Sequence, residues 1–478
     1  MTKQESHDFR RGSVKIAIIG TGYVGLTTAV VLAYLNHDVA AVDKDEGKLN
    51  LLHEGKSPIH EPGIQNLLTE VQHTIRFTPS VAEVVPDAEL ILIAVGTPPK
   101  KNGEADTQHV EQAAKEVAQV CLPDRHYTLV VKSTVPIGTN QRVAEVVESV
   151  FSERGLRGNV SVASNPEFLQ EGLALQGAFY PDRIVVGANS DEAIDTLRRL
   201  YKPILEQTFD PPSEFPRPSA YHLPPMMTTD PNSAEMIKYA ANTFLALKIS
   251  FINEIAGLCE EVAADVTEVA RGIGLDARIG SRFLQAGLGW GGSCYPKDTA
   301  ALLGVAAQSG YRMPITEAAR TINFRQRERV VEKLHDALGT LNGKTVGILG
   351  LAFKPNTDDI REAPALDIVR ELIAAGATVR AHDPIAIANA RRALSGLQTP
   401  LTENQTRNNR VSFTEDVYEL SYDADALVLI TEWDFYHKLE LRRLAKQMKT
   451  PILIDGRNVY SPEEARAAGF HYIGIGRA

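Results

Sequence analysis

The sequence predicts an α/β protein with two Rossmann-like, doubly wound parallel-sheet domains, joined by a long central helix and a helical middle domain. Three observations predict this class. Apolar strand-like runs alternate with helix-like stretches across residues 14–208, the pattern of a parallel sheet. A second alternation of the same kind begins at KTVGILG, residues 344–350. Between them NSAEMIKYAANTFLALKISFINEIAGLCEEVAADV, residues 232–266, holds one glycine, Gly257, and no proline.

In chain order, residues 1–13 form a polar leader without an apolar core, so they do not read as a secretory signal. From Val14, KIAIIG-TGYVG-LTTAVVLAYLN-HDVAAVD reads as strand, glycine turn, helix and a second strand ending in Asp43. Further strands are expected at Ala88–Val95, Thr128–Lys132, Ser161–Ala163 and Arg183–Val186, with a helix over Asp106–Val120. Residues 209–230 form a proline-rich loop. Its six prolines before Met226 exclude a helix or a central strand. An exposed loop is the plainer reading, and a proline motif for a partner is the other.

Residues 231–338 are expected to be helical, a central and dimerisation domain. Asn232 or Ser233 is placed to cap a helix of about 30 residues, or ~45 Å. That length suits a spine between domains or a dimer interface. Residues 339–478 supply the second α/β unit, with a helix over Pro364–Ala375, a strand ending at Asp383, and strands at 426–431 and 451–457. The two halves are not a close sequence repeat.

Composition narrows the function classes. At one domain per ~150 residues, 478 residues suggest about three domains. A net charge of −10 without a long basic block argues against nucleic acid or an anionic membrane as partner. Cys121, Cys259 and Cys294 are odd in number, far apart and without a C-x-x-C, which argues against a disulfide framework or a zinc site and for a reducing cytoplasm. No metal is expected. Neither is a membrane span, since no run supplies ~18 consecutive apolar residues.

The cofactor signal is GTGYVG, residues 20–25. The motif alone is weak, but here it follows an apolar strand, opens a helix, and is followed 18 residues after Gly25 by Asp43 at the end of the next strand. Gly20 permits the tight turn, Gly22 lets backbone approach a pyrophosphate, and Gly25 allows helix to pack on sheet. The helix N-terminus then presents unpaired N–H groups to phosphate. Asp43 would accept from an adenosine ribose and repel a 2′-phosphate, which favours NAD. A glycine turn with no ligand is the competing reading.

The reactive signal is GWGGSCYPKD, residues 289–298. Pro296 suits the first position of a helix, which leaves Cys294 just ahead of a helix N-terminus with Lys297 nearby; both favour a thiolate. The glycines before it would let a substrate approach the backbone. Nucleophile and buried structural cysteine both remain open on this text alone. Cys121 and Cys259 read as packing residues. Lys238 and Asn242, four apart on the long helix, share a face. Glu167 and Glu171 in SNPEFLQEG are also four apart, at an expected loop-to-helix start, where carboxylates serve acid–base work or simply favour a helix N-terminus.

Together these stretches resemble the UDP-glucose/GDP-mannose dehydrogenase family, and within it the UDP-glucose 6-dehydrogenases. The motifs are IGTGYVG (19–25), VGTPP (95–99), KSTVPIGT (132–139), SNPEFLQEG (164–172), SAEMIKYAANTFLALKISFINEIA (233–256), RIGSRFLQAGLGWGGSCYPKD (278–298), LAFKPNTDDIREAP (351–364) and DGRN (455–458). The resemblance implies four-electron oxidation of the C6 hydroxymethyl of UDP-glucose to a carboxylate, with two NAD per turnover. A cysteine adduct explains the second oxidation, because an aldehyde must first take up a nucleophile before it can lose another hydride.

The implied roles are as follows. Cys294 is the nucleophile, Lys238 and Asn242 stabilise the alkoxide at C6, Asp298 with a water on Thr134 manages the first proton, and Glu167 guides hydrolysis. NAD contacts carry over to Gly20, Gly22, Tyr23, Val24, Gly25, Asp43, Lys48, Val95, Gly96, Thr97, Thr134, Glu171, Lys297 and Arg361. The UDP-sugar falls to Glu167, Phe168, Leu169, Lys238, Asn242, Phe283, Leu284, Gln285, Ala286, Gly287, Gly291, Phe353, Lys354 and Arg457. Arg278 matches a position that reaches the substrate of a neighbouring subunit, so a homodimer or higher homo-oligomer is implied. Trp290 and Tyr295 stand where phenylalanine is common in the family. Oxidation of UDP-galactose or UDP-N-acetylmannosamine is an alternative. So are a two-electron hydroxy-acid dehydrogenase, which has no use for Cys294 or residues 344–478, and a silent nucleotide sensor.

Overall fold

The computed structural model describes residues 13–100, 103–157, 159–395 and 410–477. The polar leader, apart from Ser13, lies outside them. The chain forms two compact units, one ending at Ala240 and the other starting at Ala241.

The first unit is built on eight strands: β1 (Lys15–Ile19), β2 (Asp38–Val42), β3 (Ile75–Thr78), β4 (Leu90–Ile93), β5 (Tyr127–Val131), β6 (Val160–Ser164), β7 (Ile184–Ala188) and β8 (Met226–Thr229), in the order β3-β2-β1-β4-β5-β6-β7-β8. The middle strands LILI and YTLVV are buried throughout, as expected where helices cover both faces. One face packs on Leu26, Val30, Leu68, Leu175 and Leu197, and the other on Val110, Val117, Val143 and Phe151.

Pairing is parallel except between β6 and β7, which run antiparallel. The link between them, residues 165–183, carries one helix, Ala174–Phe179, of six residues, whereas the link from β7 to the parallel β8 carries the 16-residue helix Asp191–Glu206.

Two expectations change here. The proline-rich stretch is not a bare loop. Phe209, Phe215 and Tyr221 pack against the first core, with Phe209 and Phe215 beside Phe179 and Tyr221 edge-on to Tyr180. Its end, Met226–Thr229, is the edge strand β8. The long helix runs from Pro231 to Glu261, 31 residues. Neither Asn232 nor Ser233 caps it; the Asp230 carboxylate accepts from Ser233 N at 2.9 Å, with Pro231 in the first turn.

The second unit holds β9 (Thr345–Leu349), β10 (Thr378–His382), β11 (Val411–Phe413), β12 (Ala426–Leu429), β13 (Ile452–Asp455) and β14 (His471–Gly474), all parallel, in the order β11-β10-β9-β12-β13-β14. Its core joins this sheet to Ile252, Ala256 and Cys259 of the long helix and to Val330 and Leu334 of the helix Pro314–Leu338. Among the described residues no helix is long and apolar enough to cross a membrane, and no group of three His, Cys, Asp or Glu is set to hold a metal ion.

Candidate active site

In the first unit the glycine loop sits between β1 and the helix Tyr23–Tyr34. Gly20 has φ +102°, and a Cβ there would lie 2.9 Å from the Ala94 carbonyl oxygen. A Cβ on Gly25 would lie 1.9 Å from the Gly20 oxygen, so both positions need glycine. Around Gly22 there is open space, and no side chain caps the helix that follows. Free N–H groups facing an open cradle fit a pyrophosphate.

Asp43 accepts from Thr21 N and Thr21 Oγ1, both at 2.8 Å, and from Asp45 N at 3.0 Å, with Lys48 Nζ 3.6 Å away. Burial pushes its carboxyl up, but these donors and Lys48 outweigh it and hold it below the usual range. It stays an ionised acceptor with lone pairs left for ribose hydroxyls. Beside this, Thr97 Oγ1 donates to Thr134 O at 2.8 Å and Ser133 Oγ to Val95 O at 2.6 Å, which ties the loop after β4, with Gly96, to the loop after β5. The Tyr23 hydroxyl bonds to Glu61, whose carboxylate also accepts from Gly172 N and Ala174 N. Val24 packs against the core of this unit.

Lys238 and Glu167 form a buried ion pair at 3.2 Å. Glu167 also accepts from Leu169 N at 2.6 Å, and Lys238 Nζ lies 5.3 Å from the Phe168 ring, over which Arg183 stacks at 3.8 Å. Burial drives the Glu167 carboxyl upward. The Lys238 charge, the Leu169 N–H and the Lys132 charge more than offset this and leave it below its ordinary value. Glu167 and Glu171 do not share a helical face, because the helix starts only at Ala174. Lys132, which the sequence placed in a strand and a motif without a role of its own, donates to Asn165 Oδ1 at 3.1 Å and steadies the same loop.

In the second unit Cys294 is the N-cap of the helix Tyr295–Gln308 and is half-buried. Pro296 occupies the second position of that helix, one later than its text suggests. Ser293 Oγ lies 3.5 Å from the sulfur. Asp298, one turn on, is 1% exposed; its carboxylate accepts from Asn242 Nδ2 at 2.6 Å and pairs with Lys297 Nζ at 2.8 Å. Cys121 and Cys259 are buried, and burial pushes the Cys121 thiol up to about 12.

The glycines before Cys294 serve packing. A Cβ on Gly291 would fall 2.3 Å from the Glu362 oxygen, and one on Gly292 would fall 2.6 Å from the Phe353 ring. Of residues 283–287, Leu284 and Ala286 point into the core, and Gly287 N donates to Asn253 Oδ1 at 2.8 Å, which leaves Phe283 and Gln285 turned outward. Arg457 Nε donates to Ile430 O at 2.7 Å beside Glu432, and Lys354 lies 5.2 Å from the Phe353 ring. Arg361 is bound to Asp359. Arg278 stands apart from these groups, exposed and paired with Asp276.

Residues 14–205, 232–325 and 347–462 match, in turn, the NAD-binding, central and UDP-binding domains of the UDP-glucose/GDP-mannose dehydrogenase family. The chain belongs to that family. It is 43% identical over 97% of its length to the UDP-glucose 6-dehydrogenase TuaD of Bacillus subtilis, covering 93% of that protein. It is 42% identical to the UDP-glucose 6-dehydrogenase of Rhizobium meliloti, covering 97% of this chain and all of that one. Among solved structures, a UDP-glucose dehydrogenase of Pyrobaculum islandicum superposes with TM-score 0.84 at 36% identity over 98% of each chain. As a member of this family the protein is an NAD-dependent oxidoreductase with a UDP-sugar substrate, and the open cradle at Gly22 with the ionised Asp43 fits that cofactor.

Proposed function

We propose that the protein oxidises UDP-glucose to UDP-glucuronate in two successive steps at C6. The balance is UDP-glucose + 2 NAD⁺ + H₂O → UDP-glucuronate + 2 NADH + 3 H⁺. Gly20, Gly22, Gly25 and Asp43, with support from Lys48, Thr97 and Thr134, would hold NAD, which would supply the hydride acceptor. Glucose is favoured over other sugars because the relatives at 40–43% identity are named UDP-glucose 6-dehydrogenases, whereas a UDP-D-ManNAc dehydrogenase of Pyrococcus horikoshii is 27% identical.

The chain's own groups do the rest. Asp298, fixed by Asn242 and Lys297, takes the C6 hydroxyl proton through a water that Thr134 holds, while Lys238 stabilises the alkoxide. Loss of hydride from C6 leaves the aldehyde; the Cys294 thiolate adds to its carbon, and the carbonyl oxygen takes the proton back from Asp298. Oxidation of this thiohemiacetal leaves a thioester on sulfur. Water, oriented by Glu167, attacks the acyl carbon, and the carbon–sulfur bond breaks to return the thiolate. Lys354 and Arg457 offer cationic partners to the diphosphate and uridine.

The carrying observation is the half-buried Cys294 at a helix N-cap, one turn before the Asn242–Asp298–Lys297 cluster. Two NADH per UDP-glucose consumed, with no free aldehyde, is the expected yield; a yield of one overturns the reading. Cys294→Ser should stop after the first oxidation or at an ester adduct, and undiminished turnover would remove sulfur from the reaction.

We also infer a cytoplasmic homodimer or higher homo-oligomer. Phe244, Phe251, Leu258 and Val262 are exposed at spacings of seven, seven and four along and just past the long helix, an apolar stripe suited to a second copy. Arg278 would then reach the neighbouring subunit's substrate.

A further inference from the structure

We propose that Arg320, Asn323 and Arg327, on one face of the helix Pro314–Leu338, are positioning residues that hold Cys294 at its helix N-cap by gripping the chain on both sides of it. The proposal rests on the reading of Cys294 as nucleophile, and it lies within the second unit.

Spacings of three and four place the three side chains along one helical face. Asn323 is fully buried and uses both ends of its amide on one residue. Its Oδ1 accepts from Trp290 N at 2.7 Å, and its Nδ2 donates to Trp290 O at 3.0 Å. A side chain thus stands in for the neighbouring strand that Trp290 lacks. Gly289 makes room for it, since a Cβ there would lie 2.4 Å from Asn323 Oδ1. Arg327, also buried, donates to the same Trp290 O and to Glu362 O, both at 3.2 Å, and pairs with Asp367. On the far side of the cysteine, Arg320 donates to Pro296 O at 2.8 Å and to Thr299 Oγ1 at 2.7 Å.

The chain is therefore fixed four residues before Cys294 and two residues after it, to a single 25-residue helix. Between the fixed points Gly291, Gly292 and Ser293 have little side chain with which to anchor themselves; Gly292 N donates to Arg361 O at 2.9 Å, and the Tyr295 ring stands edge-on to Trp290, itself one of the gripped residues. Buried guanidinium and amide groups carry a desolvation cost that apolar residues of similar volume would avoid. Packing alone does not call for three such groups flanking one half-buried thiol. Their common effect is to set where the sulfur stands relative to the first turn, whose N–H groups favour the thiolate.

The test uses the whole chain with Arg320→Met, at a half-buried position, and with Arg320→Lys and Asn323→Asp. Two readouts are taken. The first is the pH profile of alkylation of Cys294 by iodoacetamide, which needs neither cofactor nor substrate; Cys121 and Cys259 are buried and serve as slow internal references. The second is kcat and KM for NAD and UDP-glucose. Arg320→Met should shift the alkylation profile to higher pH and lower kcat on the order of 10²-fold, the scale expected of an ångström-sized displacement. KM for NAD should hold, and melting temperature should fall little. Arg320→Lys should recover part of both effects, and Asn323→Asp, which keeps the acceptor and loses the donor, should shift the profile in the same direction. A wild-type alkylation profile in Arg320→Met overturns the proposal. So does a kcat loss that only follows a loss of folded protein. If wild-type protein fails to oxidise UDP-glucose while the alkylation shift is present, the functional reading falls and the grip on Cys294 stands.

Discussion

Lys238 and Glu167 stand 71 residues apart in the sequence and 3.2 Å apart in the fold. Helical spacing made Lys238 legible as a partner of Asn242, but no local pattern announces a pair closed by tertiary packing. Cys294 was more legible, because its glycines, proline and lysine are neighbours in sequence. The pair has consequences that can be checked. Glu167 is held below its ordinary value, so it contributes stability above about pH 4.3, the unfolded value, and loses it as pH falls through the folded one. Lys238→Met removes the largest opposing charge and leaves burial opposed only by the Leu169 N–H and the Lys132 charge, so the carboxyl should then titrate above its unfolded value. Stability of the variant should fall as pH rises past about 4.3, the reverse of the parent's contribution, with a cost near neutrality of roughly 3–5 kcal/mol for the stranded charge. Adding Glu167→Gln should restore much of that. Urea titrations of the single and double variants at pH 4 and pH 7.5 decide it; a single variant whose loss is the same at both pH values counts against the pair.

At the scale of elements, the strands and helices around the nucleotide crevice follow from periodicity, and the misses have mechanical causes. β7 pairs antiparallel with β6, and strand direction is something apolar text does not convey. β8 is four half-exposed or exposed residues at an edge and has no alternation to read. A further joint was invisible: Glu235, the fifth residue of the long helix, is buried and accepts from Gly138 N at 2.6 Å and Asn140 N at 2.8 Å, fastening that helix to the N-terminus of the helix Thr139–Glu153, just past Thr134. Burial is the larger influence on its carboxyl, and although both N–H donors oppose it the group is pushed up to about 7. A raised carboxyl favours the protonated fold. Its contribution is therefore full below about pH 4.3, declines as pH rises toward 7, and is gone above, a span of roughly 4 kcal/mol. Glu235→Gln keeps one acceptor and cannot ionise. Its stability relative to the parent should improve steadily from pH 5 to pH 8, read from paired thermal melts, and a difference independent of pH would refute the assignment.

Across the whole molecule, the same construction is used twice without sequence repetition. Gly20 and Gly350 each follow the first strand of their sheets with φ of +102° and +99°. Asp43 and Asp383 each end the second strand and accept from the loop after the first, at Thr21 N and Leu351 N. A strand, a glycine and a distant carboxylate suffice for that frame, which is why the class is legible while the halves look unrelated. What the frame leaves uncovered is the stripe of Phe244, Phe251 and Leu258, exposed by 61%, 46% and 59%. Singly exposed apolar residues are ordinary, but three at heptad spacing on one helix make a stripe suited to the second copy proposed above. A two-fold pair of these helices presents the same stripe to itself, so a single charge placed there is met by its own copy and repelled. Phe251→Glu should convert an oligomer into monomers in sedimentation velocity while leaving the circular dichroism spectrum unchanged. If Arg278 works across that interface, specific activity of the variant should drop and should recover in part at high protein concentration. A variant that stays oligomeric at micromolar concentration would mean that copies meet through another face.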